Sequence, residues 1–142
     1  MLAGTLHDLG KLVLAKYAPD QYSQVLSKVR KTQAPLHEVE RELLGTDHPA
    51  IGGHLAEWWN LPPKIVDIVR NHHAPEQAKA DPRLAHLISL SNVLAHQLEL
   101  GASGSQQLPA DIGDRTYKTL ALSPPEVQQI LEELRGKDLV PH

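Results

Sequence analysis

Cysteine is absent from this 142-residue chain. That excludes disulfide bonds, thiolate metal ligands and cysteine nucleophiles, and it fits a protein kept in a reducing, cytoplasmic setting. Phenylalanine is absent too, and aromatic residues make up only 4% of the chain. The core must therefore be built from Leu, Ile, Val and Ala, with Trp58 and Trp59 as its bulky exceptions. No apolar run approaches the ~20 residues that span a bilayer. The N-terminus lacks a basic flank and soon reaches His7 and Asp8, so no signal peptide is expected. A dense basic stripe is also missing. Fourteen Lys and Arg face 17 Asp and Glu, for a formal charge of −3, and the basic residues are scattered. This is not the footprint of a nucleic-acid binder. Neither nucleic acid nor membrane is expected as a partner.

What the chain does have in number is histidine, nine in all, and neutral imidazole is the commonest protein metal ligand. The length fits a single domain over residues 1–142, and 41% hydrophobic residues suffice for a core. Nearly every segment has helical periodicity. Residues 2–17 are apolar almost all round (Leu2, Leu6, Leu9, Leu12, Val13, Leu14), the pattern of a buried central helix. Pro19 begins a second helix, about 20–31, with Tyr22, Val25, Leu26 and Val29 on one face. A third, about 36–44, ends at Gly45, which suits a left-handed cap. Asp47 caps a fourth, with Pro49 in its first turn, that runs to Trp59. Pro62 and Pro63 open a fifth, about 62–73. The sixth, about 82–100, has its stripe at Leu84, Leu87, Ile88, Ser91, Leu94, Ala95 and Leu98. "GASGSQQLP" (101–109) reads as a surface loop, and a short helix follows near 111–120. "SPPE" (123–126) is a capping box opening a last helix with Val127, Ile130, Leu131 and Leu134 at i, i+3, i+4, i+7. No segment alternates like a strand. The expected class is all-α, a bundle of about six to eight helices.

Several histidines fall on the inward faces of these helices. His48 lies three residues before Ile51 and seven before Leu55, so it shares their face. His72 is seven after Ile65 and four after Ile68, continuing a buried stripe, and His73 follows it. Asn92 lies four after Ile88, at the edge of the apolar face. Polar groups from three helices thus aim inward, which is how a metal site in a helix bundle is made. Asp8 would be the anionic or bridging member, and two or three histidines would complete the ligand set for zinc, iron or manganese. A plainer account stands beside this one. A single histidine on a helix face is most often a hydrogen-bonded core or surface residue, Asp8 could be solvated beside Lys11, and His72 and His73 could simply complement a helix C-terminus. His37, His54, His86, His96 and His142 are left to such ordinary roles.

Taken together, the segments resemble a known superfamily. "LAGTLHDLGKLVL" resembles the central helix of HD-domain proteins, named for the adjacent His-Asp. Glu40, Gly45, Asp47-His48, Gly52-Gly53, Trp59, Leu61-Pro62 and His72-His73-Ala74-Pro75 resemble the HDOD group, the HD-related output domains of bacterial signalling proteins. "LAHLISLSNVLAHQL" is similar to that group's following helix. The resemblance covers about residues 2–100 and, more loosely, the terminal helix. HDOD domains usually have further helices before the His-Asp helix, so this chain is expected to be the C-terminal portion of the family domain. Apolar surface is then expected to be exposed along residues 1–17, or covered by a partner or a second copy.

The resemblance also implies a ligand set. Catalytic branches of the superfamily, nucleotide phosphohydrolases and cyclic-dinucleotide phosphodiesterases, hold metals. One metal there uses an upstream histidine, the His-Asp pair and a later aspartate. Here the pair is His7-Asp8, the upstream histidine would precede Met1, and Asn92 stands at the aspartate position. The other metal's set is similar to Asp8, His48, His72 and His73. The expected function is a non-catalytic signalling or regulatory domain with a depleted HD-type site and an optional divalent metal (Fe, Mn or Zn). Its partners would be other signalling domains or proteins, or a second copy of itself. The alternative is a metal-dependent phosphohydrolase in which Lys11 stabilises charge on the leaving phosphate and His72 or His73 serves as ligand or general acid.

Overall fold

The long first helix expected over residues 2–17 is interrupted at its two polar residues. In the computed structural model, which describes residues 2–99 and 112–137, α1 is Leu2–Leu6 and α2 is Leu9–Tyr17. His7 and Asp8 form the turn between them, with Asp8 at φ −100°, ψ 8°. An aspartate competes for its own backbone and is a poor helix-interior residue. The periodicity of the flanking leucines conceals this break. Nor is the segment buried all round: Leu12 is 68% exposed and Tyr17 lies open.

The next elements follow the sequence closely. Helix α3 spans Pro19–Thr32 and α4 spans Leu36–Leu44. Gly45 ends α4 at φ +72°, a left-handed conformation open to glycine without a Cβ penalty. Helix α5, His48–Trp58, is capped by Asp47, whose carboxylate accepts from the Ala50 amide at 2.9 Å. Arg41 donates to the other carboxylate oxygen at 2.8 Å. Helix α6 is Pro63–Asn71, followed by a 3-10 turn at Pro75–Gln77, α7 at Pro82–Glu99, α8 at Asp114–Leu120 and α9 at Pro124–Arg135. The Ser123 capping box forms in full, with Ser123 and Glu126 bonded reciprocally. The described residues contain no strand, and the class is all-α. The loop expected at 101–109 lies outside the described residues.

The apolar interior falls into three clusters. Leu14, Tyr22, Val25 and Val39 join α2, α3 and α4. Ala3, Ile68, Ala78, Ala85 and Ile88 join α1, α6 and the first half of α7. Leu90, Leu94, Ile112, Val127 and Leu131 join the second half of α7 to α9. Helix α7 therefore changes partners along its length, and its buried face turns with them. This is why Leu87, Ser91 and Ala95, expected inside, are exposed. On α9, Val127 and Leu131 are buried and Ile130 is 38% exposed.

The tryptophans do not belong to the core. Trp58 is 78% exposed and Trp59 about half. The inward face of α5 is built from small residues, Gly52, Gly53 and Ala56, and Trp58 lies two residues on, across the helix from that face. Small residues serve a close helix crossing. A Cβ on Gly10 would stand 2.0 Å from the His48 carbonyl oxygen, so α2 lies directly on the backbone of α5.

Candidate metal centre

The α2–α5 crossing brings together three elements carrying polar side chains. Asp8 comes from the α1–α2 turn, His48 is the first residue of α5, and His72 caps the end of α6 with His73 just beyond. One potential ligand atom from each of these four lies within 4.8 Å of all the others. His48 Nε2 and His72 Nε2 stand 3.4 and 3.6 Å from Asp8 Oδ1, and His48 Nε2 stands 3.0 Å from His73 Nε2. Ligands bonded at ~2.1 Å to a tetrahedral ion would be separated by roughly 3.4 Å. The spacing already approaches that of a filled site.

The rings are held in the orientation a metal needs. His48 Nδ1 donates to Glu40 Oε2 at 2.6 Å, and the His48 backbone N–H donates to the same oxygen at 2.8 Å. His72 Nδ1 donates to the Val69 carbonyl at 2.8 Å. A carboxylate and a carbonyl only accept, so each Nδ1 carries the hydrogen and each Nε2 is left as the potential donor of a lone pair. Metal-binding histidines are commonly fixed in this way through their second nitrogen. Asp8 Oδ1 and His72 Nε2 are buried with no hydrogen-bond partner among the described residues. Buried polar atoms are ordinarily satisfied. Two orphaned acceptors facing one another fit a cation of the divalent, nitrogen- and oxygen-binding type.

The electrostatics agree. Burial by itself would raise the Asp8 carboxyl pKa, but His48, His72 and Lys11 facing it outweigh that and hold it well below the usual carboxylate range. His48 is buried, which opposes its charge, yet Asp8 and Glu40 on either side raise its pKa overall. Burial lowers His72. Burial, with repulsion from the neighbouring imidazoles, pushes His73 down to about 2. His72 and His73 are thus neutral ligand-type imidazoles beside an ionised carboxylate.

His7 and Asn92, the other two expected ligands, meet each other at the edge of this cluster. His7 Nδ1 donates to the Gly4 carbonyl at 2.6 Å, and Nε2 meets the Asn92 side-chain amide at 3.1 Å. Both ring nitrogens of His7 are engaged, although Nε2 is also 3.4 Å from Asp8 Oδ2. Lys11 donates to that same Oδ2 at 2.9 Å, so it neutralises the outer oxygen while Oδ1 faces inward. Of the histidines given ordinary roles, His54 and His96 are exposed, and His86 is buried against the Thr116 hydroxyl at 2.8 Å. His37 does more than expected. Its ring stacks on His73 with centroids 4.3 Å apart and planes within 12°. His142 lies outside the described residues.

Glu40 is the site residue that periodicity passed over. It is wholly buried, between His48 and the Tyr22 hydroxyl, which donates to Oε1 at 3.4 Å. A signal was available: Glu40 stands four residues from both Leu36 and Leu44, and both pack on the first core cluster. A carboxylate on an apolar stripe must have a buried partner.

Comparison with known proteins agrees with this architecture. Over 115 residues the chain is 27% identical to an uncharacterized protein of Treponema pallidum (strain Nichols), covering 78% of this chain and 22% of that protein. Its fold is similar to a crystal structure named "Putative phosphohydrolase" from Shewanella amazonensis SB2B, with a TM-score of 0.68 and 21% identity over 95% of this chain and 49% of the other. The chain thus spans about a fifth and about half of these two relatives. At that identity the second likeness speaks for the fold alone. The HDOD domain family matches residues 1–75, a span that contains Asp8, Glu40, His48, His72 and His73. The chain belongs to the HDOD domain family.

Proposed function

We propose that this chain is a regulatory, non-catalytic domain of a bacterial signal-transduction protein, and that Asp8, His48, His72 and His73 hold one divalent cation that rigidifies it. The observation that carries this reading is the number of protein donors. Four side chains converge on one point, and four-coordinate sites filled entirely by protein are structural, whereas catalytic sites keep a position open for water or substrate. His7 and Asn92, which could have held a second ion, are paired with each other. The domain would act in the cytoplasm, through contacts with other signalling domains or a second copy. The exposed Leu12, Tyr17 and Trp58 offer apolar surface for such contacts.

A second reading, metal-dependent phosphohydrolase, is favoured by Lys11 beside Asp8 and by the wider coordination of iron or manganese, which would leave positions free. A cation so held would supply Lewis acidity and a bound water of lowered pKa. The test is metal analysis of protein purified without chelator, followed by turnover of bis(p-nitrophenyl) phosphate and cyclic dinucleotides. One ion per chain, lost in the His48→Ala, His72→Ala double variant, with no turnover, is the expected result. Metal-dependent turnover lost in the same double variant would establish the enzyme instead. Protein that neither retains nor takes up a cation would end both readings.

A further inference from the structure

We infer that Glu40, backed by Tyr22, is the positioning residue that aims His48 at the cluster. Three donors converge on its carboxylate. The His48 backbone N–H and Nδ1 reach Oε2 at 2.8 and 2.6 Å, and the Tyr22 hydroxyl reaches Oε1 at 3.4 Å. Glu40 and His48 are each fully buried, and Tyr22 nearly so. No water competes for these bonds, and the carboxylate cannot swing away without leaving three donors unpaired.

The geometry does two things for His48. The bond to Nδ1 fixes the ring plane, so Nε2 is the nitrogen turned toward Asp8 and His73. The bond to the backbone N–H ties the same carboxylate to the first turn of α5, so ring and helix are registered by one group. Asp47 Oδ1 caps the same helix end through the Ala50 amide, so the start of α5 does not depend on Glu40 alone. Among the described residues His72 Nδ1 has no side-chain partner and donates instead to the Val69 carbonyl at the end of its own helix. A backbone carbonyl orients a ring, and a carboxylate also raises its basicity. The two rings facing Asp8 are therefore unequal, and His48 is the one whose aim depends on a residue from another helix, α4.

The metal-affinity half of this inference rests on the proposed cation site; the ring-orientation half does not. The test compares the wild-type chain with Glu40→Gln, Glu40→Ala and Tyr22→Phe. Each is examined by nitrogen-15 NMR of the histidine rings without metal and by calorimetric titration with Mn²⁺ and Zn²⁺. Glu40→Gln keeps size and a hydrogen-bond acceptor, so it retains the fold. Wild-type His48 is expected to show a hydrogen-bonded Nδ1–H in the apo protein, whatever the state of Nε2. Glu40→Ala, where it folds, and Glu40→Gln should blur that signature and weaken cation affinity about 10–100-fold, with Tyr22→Phe changing it in the same direction by less. An unchanged His48 ring signature and unchanged cation affinity in folded Glu40→Gln would overturn the inference. Wild-type protein that binds neither cation would sink the proposed site, while the NMR comparison would still decide whether Glu40 aims the ring.

Discussion

Two regions of the molecule are packed by opposite rules. Where α7 and α9 meet, the buried side chains form an apolar cluster, Leu90, Leu94, Ile112, Val127 and Leu131, with Val127 and Leu131 fully buried. Where α2, α4, α5 and α6 meet, the interior holds Glu40, His48 and His72 at full burial, two polar atoms with no hydrogen-bond partner among the described residues, and helices drawn together by glycine. The first arrangement gains free energy by removing methyl groups from water. The second costs free energy, because buried polar groups without partners are unfavourable by about 1–3 kcal/mol each. A protein carries such a cost where the groups serve something besides folding. The difference separates a part that holds the domain together from the candidate cation site.

The contrast can be tested from the larger expected effect to the smaller. Leu131→Ala opens a cavity in the apolar cluster and should cost about 2–5 kcal/mol by denaturant unfolding, with cation affinity unchanged in whatever remains folded. A large loss of affinity would mean the two regions are coupled. Next, a saturating divalent cation should stabilise the chain by about 2.7 kcal/mol at a hundredfold excess over its Kd, and by nothing in the His48→Ala, His72→Ala variant. Gly10→Ala adds one methyl group against the His48 carbonyl and should cost about 1–3 kcal/mol through overpacking. Unlike Leu131→Ala, it should also weaken cation binding in titration calorimetry, because it pushes α2 and its Asp8 away from α5.

A smaller effect concerns pH. Burial first, then Arg115, lowers the His86 pKa, against an opposing pull from Glu76. The folded chain therefore binds this proton less readily than the unfolded chain, whose histidine titrates near about 6.5. Stability therefore falls as pH drops below about 6.5, by less than ~1.4 kcal/mol per pH unit for one group. His86→Gln should flatten the slope between pH 7 and 5 without touching cation affinity. A steeper slope would refute the assignment. Smallest of all is Trp58→Ser, which should change stability by no more than ~0.5 kcal/mol, as an exposed side chain does. If it disperses a concentration-dependent oligomer in light scattering, the exposed patch is a contact surface.

Much of this was readable before any coordinate. Gly45, Asp47 and the Ser123–Glu126 capping box signal the helix ends they occupy, because caps act within one turn of chain. The spacing of His48 from Ile51, and of His72 from Ile68, marks both rings as inward. Other features were hidden for a common reason. The turning of α7's buried face at Leu87 and the exposure of Trp58 depend on which neighbour lies alongside, and periodicity within one helix cannot report a change of neighbour. Glu40 shows the intermediate case: its place on an apolar stripe is a local fact, but its role depends on His48 eight residues on and Tyr22 on another helix.

The sequence by itself determined the helical class, most element boundaries and the residue types able to bind a cation, since each follows from interactions within a few residues of chain. The family resemblance named Asp8, His48, His72 and His73 as one set, but only the tertiary structure brings their ligand atoms within 4.8 Å of one another and turns His7 to Asn92. The physical reason is range: caps and periodicity are short-range, whereas a ligand cluster is set by how closely two helix backbones approach, here at Gly10 against His48.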